Sequence, residues 1–141
     1  MTSQEAKEWL NRAYGLNKLL KKLIKTRNSE TFANISNYDL ESFKGTSDNN
    51  STESKMIAFA ELNSRIEKTQ KELMSENVIT QKVINKCKDP VSMEILTARY
   101  VDFKGWRQIA KEHNYSEQHI FRLHGTALQE VAPYVPTDYE R

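Results

Sequence analysis

The sequence predicts an all-α protein: a long helical hairpin or coiled-coil arm over residues 1–88, a small three-helix domain over 89–132, and a tail over 133–141. Three observations carry this reading. Apolar residues recur at steps of three and four along two long segments, the period of a helix face. Only four Gly and three Pro interrupt 141 residues, so long helices are permitted. Asp89-Pro90 then marks a fresh start, with Asp as N-cap and Pro at the first helical position.

The first helix is expected over about 3–28. Thr2-Ser-Gln-Glu5 has the capping-box pattern, in which the Thr and Glu side chains satisfy each other's backbone amides. Trp9, Ala13, Leu16, Leu20 and Leu23 follow at 4-3-4-3 steps, a narrow heptad-like seam with Ile24 beside it. Lys18, Lys21, Lys22 and Lys25 lie mostly off that seam and read as a solvated face. Such a helix would be roughly 39 Å long.

Residues 29–52, rich in Ser, Asn, Thr and acidic side chains, read as a flexible loop. Part of 30–43, with Phe32, Ile35, Tyr38, Leu40 and Phe43, is expected to pack back on a helix. The second helix is expected over 53–87, with Phe59, Leu62, Ile66, Thr69 and Leu73 on one face. The pattern slips near Asn77 and resumes at Ile79, Val83 and Ile84, which allows one helix or two meeting near residue 77. Neither narrow stripe buries itself alone, so the two segments must pair with each other or with another chain. An antiparallel hairpin and a homo-oligomer, a dimer through the arm, are the expectations.

After Pro90 a helix over Val91–Val101 offers Ile95, Leu96, Ala98 and Tyr100 for burial. Residues 102–105 turn the chain into a short helix carrying Ile109 and Ala110. Asn114 stands where the next turn needs positive φ, which Asn tolerates well, and Ser116 can cap the following helix. Ile120, Leu123, Ala127 and Val131 form its inward stripe. Pro133 is expected to end it. Gly125 inside this helix costs about 1 kcal/mol against Ala and suggests close packing or close approach of a ligand. Two short helices about a tight turn have the spacing of a helix-turn-helix, which sets its second helix in a DNA major groove.

Residues 93–131 resemble region 4 of bacterial sigma-70 factors. The shared pattern is a helix ending in Arg99-Tyr100, a turn containing Gly105, a helix with Ile109-Ala110, a turn of Asn114-Tyr115-Ser116, and a final helix with Ala127-Leu128. With its helical N-terminal arm the whole chain looks like small phage-encoded regulators of Gram-positive hosts, of the ArpU and RinA types. The resemblance implies double-stranded DNA as partner, transcriptional control of the late-gene kind, and contact with host RNA polymerase. Its base-reading positions fall on Glu117, Gln118 and Arg122. Arg suits guanine, Gln adenine and Glu the amino group of cytosine. His119 and Phe121 share the outer half of this helix, and Phe121 suits a thymine methyl. Lys104, Trp106, Arg107, Ser116 and Thr126 are the expected phosphate contacts. No sigma region 2 is visible, so a stand-alone initiation factor is not expected.

Charge supports this reading only weakly, at +2 overall. Residues 1–28 carry +5 and 55–88 carry +3, whereas 29–54 carry −4 and 89–141 carry −2. One copy of the helix-turn-helix is therefore expected to bind DNA weakly, which dimerisation would offset. No phosphate-cradling loop or nucleophile–base pair appears, so no enzyme and no cofactor are expected. His113, His119 and His124 with Cys87 match no zinc-ligand spacing, so no metal is expected. Cys87, between Lys86 and Lys88, is expected to be an exposed thiol at a helix end. A lone Cys, no signal peptide and no membrane span imply the cytoplasm of a bacterial host and no membrane partner. Two alternatives stand beside DNA regulation: a module docking on RNA polymerase or another host factor, and a small terminase-like packaging protein.

Overall fold

A computed structural model describes residues 2–29 and 49–137, and these are all helix, turn or loop. The elements are α1 (Ser3–Leu10), a 3-10 turn (Asn11–Ala13), α2 (Tyr14–Arg27), α3 (Asn49–Ile84), α4 (Pro90–Tyr100), α5 (Trp106–His113), α6 (Glu117–Val131) and a final 3-10 turn (Ala132–Tyr134). The expected loop and the apolar residues of 30–43 lie outside the described residues, except that helix already begins at Asn49. The chain forms two compact units, one of Met1–Gly15 with Leu73–Arg141, the other of Leu16–Glu72.

In the first unit α1 is part of the C-terminal domain rather than of an arm. Thr2 Oγ1 accepts from the Glu5 amide at 3.2 Å and the Glu5 carboxylate accepts from the Thr2 amide at 3.1 Å. That capping box orients a helix whose Ala6, Trp9 and Leu10 are all buried. They join Val83, Ile84 and Cys87, Leu96 and Tyr100 of α4, and Ala127, Leu128 and Val131 of α6 in one core. A second cluster holds α5 in place: Ile95 and Ala98 of α4, Ile109 and Ala110 of α5, and Ile120 of α6. Each fully buried Leu, Ile or Val contributes about 1.5–3 kcal/mol relative to exposure.

Where one N-terminal helix was expected, the turns tighten to 3-10 at Asn11–Ala13. Arg12, in the middle of this turn, is tied down on three sides. Its Nη1 donates to the Trp9 carbonyl at 3.0 Å, its Nε to Glu76 Oε2 at 2.7 Å, and its Nη2 to the Glu76 carbonyl at 3.2 Å. The guanidinium also lies 3.8 Å from the centre of the Trp9 ring, a cation–π contact that completes a mostly buried knot.

The second helix does not break near Asn77, since α3 runs unbroken for 36 residues. Its inward register passes through Leu73, Thr80, Val83 and Ile84, with Thr80 fully buried and Ile79 left 44% exposed. Position on the helix, not side-chain polarity, decides which of the two neighbours faces the core.

Asp89 caps α4 by accepting from the Val91 amide at 3.0 Å. Cys87 is buried rather than exposed, and desolvation, with Glu130 and Asp89 nearby, pushes its thiol up to about 11. The flanking lysines therefore do not make it reactive. Pro133 closes α6 at Val131, yet Ala132 stays in the right-handed region and a 3-10 turn follows. The expected loose tail is thus ordered as far as Val135, which is buried in the core; residues 138–141 lie outside the described residues.

In the second unit Leu23 of α2 and Ile66 and Thr69 of α3 are buried, while Lys18, Lys21, Lys22 and Lys25 face solvent.

Candidate nucleic-acid interface

The turn between α5 and α6 is built from backbone chemistry. Asn114 adopts φ 58 and ψ 37, the left-handed conformation. The Tyr115 amide then reaches the Ala110 carbonyl at 2.9 Å and the Asn114 amide reaches that of Lys111 at 3.2 Å. This pair of bonds is the Schellman arrangement, which satisfies the last carbonyls of α5. Two residues on, Ser116 Oγ accepts from the His119 amide at 3.1 Å and starts α6.

One side of α6 is buried through Ile120, His124, Ala127, Leu128 and Val131. Its other side, with Glu117, Gln118, Phe121, Arg122, Thr126 and Gln129, faces solvent. Gln118 and Arg122 line an open groove of about 420 Å³ with Asn114, Tyr115, Ser116 and His119. Arg122 Nη2 donates to His119 Nδ1, so that nitrogen must be unprotonated. The His119 ring meets Tyr115 edge-on at 4.6 Å, which leaves it only half-exposed.

A match to the family described as "Protein of unknown function (DUF1492)" covers residues 47–132, more than half of the chain. The chain belongs to the DUF1492 family. No curated protein and no solved structure matches it. The DUF1492 portion contains α3 to α6 and the whole groove, whereas α1 and α2 lie outside it.

Within the DUF1492 portion the residues expected to form the site part into two groups. Gln118, His119 and Arg122 converge on the turn with Ser116, whose hydroxyl is engaged as a cap, while Glu117 lies apart from them towards Arg107. Arg107 is 96% exposed and 3.9 Å from Glu117. Trp106 is half-buried, edge-on to His124 at 4.5 Å and to Phe121 at 5.4 Å, with the Arg99 guanidinium 4.5 Å above its ring. The indole braces α5 against α6, and Phe121 divides its ring between that contact and solvent. Lys104 Nζ bonds both oxygens of Glu112, at 3.0 and 3.2 Å. That bond is the main reason the Glu112 carboxyl sits below its usual range. The Thr126 hydroxyl donates to the Arg122 carbonyl at 3.3 Å. Gly125 has no neighbour within 4 Å of the place a Cβ would occupy, so close packing is not its purpose.

Two residues escaped the sequence reading. His124 is buried where Leu123 was expected, and Leu123 is half-buried. The His124 Nε2 and the Tyr100 hydroxyl share a hydrogen bond of 2.7 Å. Burial first, then Lys7 and Arg99, depresses this imidazole to about 4, so it is neutral near pH 7. Burial likewise raises Tyr100 to about 12. The available signal was its spacing, four residues after Ile120 and three before Ala127. Phe103 is the other: it holds φ 56 in the turn before α5 and meets the Tyr14 ring at 6.5 Å. Among the described residues no group of three His, Cys, Asp or Glu is placed to hold a metal. No described helix is long and apolar enough to cross a membrane.

Proposed function

We propose that the chain is a sequence-specific DNA-binding transcription regulator, of the phage late-gene kind, acting in a bacterial host cell. One observation carries the reading: a short, Ser-capped helix, set by a left-handed Asn turn, buries one face and offers Gln118 and Arg122 on the other. That is how a recognition helix presents amide and guanidinium groups to base edges. Arg122 would read guanine and Gln118 adenine, with Glu117 selecting against other registers and Phe121 meeting a thymine methyl. Arg107 and Lys111 would touch phosphates. Dimerisation through the helical arm would pair two such units on half-sites about one helical turn apart. No catalysis is part of this role.

Selection of binding sites from a random DNA pool, followed by Arg122→Ala, tests it. The expected loss is about 1–3 kcal/mol at the selected site with relaxed preference at one base pair. No enriched motif, or an unchanged affinity, would sink the reading.

A second reading, docking on host RNA polymerase or another host factor, is favoured by a specific feature. An open hollow of about 430 Å³ lies between the end of α3, α4 and α5, lined by Glu94, Asp102, Glu112, Met93 and His113 among others. Co-purification of a host protein that survives nuclease treatment would support it.

A further inference from the structure

We propose that the outward face of α2 is a second nucleic-acid contact, binding phosphates without reading sequence; this rests on the DNA-binding reading above. From Trp9 to Ser29 the chain has no acidic residue, while Lys18, Lys21, Lys22 and Lys25 are all exposed. Among the described residues none of these four lysines is in an ion pair. At 100° per residue they fall within an arc of about 100° on the side opposite Leu23, which is buried. Lys18 and Lys25 are separated by about 10 Å along the axis, a span that meets two or three phosphates of one strand.

The recognition unit itself is short of free cations. Lys104 is held by Glu112. Arg107, Lys111 and Arg122 remain, against a target that carries one charge per ~1.7 Å of axis. A polyanion therefore gains more from α2 than from any other described helix. A lipid surface is the other polyanion that a lysine-rich helix can meet, but it needs a free apolar face beneath the lysines. Here Leu23 is buried and Leu16, Leu20 and Ile24 are partly covered, while Leu19 at 37% and Tyr14 at 45% are exposed. Five residues apart, those two lie about 140° from each other round the helix and form no apolar stripe, and that favours a phosphate backbone.

The test measures DNA affinity of the full chain against salt, for wild type, Lys18→Gln/Lys22→Gln/Lys25→Gln and the matching triple Lys→Arg variant. Since the slope of log K against log salt is about −0.9 per phosphate neutralised, the Gln variant is expected to flatten it by about 2–3. Its affinity should fall by a similar factor, roughly tenfold or more, on selected and random duplexes alike, and the Arg variant should keep both. An unchanged slope in a wild type that does bind DNA overturns this proposal alone. Absence of any DNA binding by the wild type overturns it together with the reading it rests on. Loss of binding to anionic phospholipid vesicles, with the DNA slope unchanged, overturns it in favour of a lipid surface.

Discussion

Acid should loosen the packing of α4, α5 and α6 through His124. Its imidazole is 7% exposed, hydrogen-bonded to Tyr100 and edge-on to Trp106, and burial depresses it from 6.5 to about 4. In the unfolded chain it takes up a proton near its ordinary value, whereas in the folded chain it resists. The stabilisation is therefore complete above about pH 6.5 and is lost as pH falls towards 4. At 1.36 kcal/mol per pKa unit the full loss is about 3 kcal/mol, of which roughly 2 is reached by pH 5. Urea unfolding followed by helical circular dichroism at pH 7.5 and pH 5 measures it, with His124→Gln as the comparison. Every other ionisable group is common to the two proteins, so its contribution cancels. The wild type should lose about 2 kcal/mol more than the variant over this interval. Parallel losses in the two proteins would refute the assignment.

Arg12→Ala should destabilise the first unit by about 1–3 kcal/mol in the same assay, because it removes the charge-assisted hydrogen bonds to Glu76 and the packing on Trp9; a loss below about 0.5 kcal/mol would show that the knot is incidental. Gly125→Ala should raise stability by about 0.5–1 kcal/mol, since the new methyl meets no neighbour and the helix gains backbone rigidity. If Gly125 admits DNA closely, the same substitution should weaken DNA binding while stabilising the fold, which a paired measurement of melting and affinity reads directly.

The sequence by itself determined what is local. Thr2 and Glu5 cap α1, Asp89 and Pro90 start α4, and Asn114 and Ser116 shape the turn before α6. Each depends on backbone geometry and partners within a few residues, so each was legible from residue type and spacing. The exposed face of α6 followed from the same helical period. Only the tertiary structure decided what depends on distant partners. Trp9 belongs to the seam of an arm by periodicity, yet it is buried in the same core as Val131, Ala132 and Val135, more than 120 residues along the chain. Thr80 is buried and Ile79 is not, because a 36-residue helix keeps its register over side-chain preference. His124 reads as polar and is core, because Tyr100, 24 residues earlier, supplies a hydrogen bond that makes its burial tolerable.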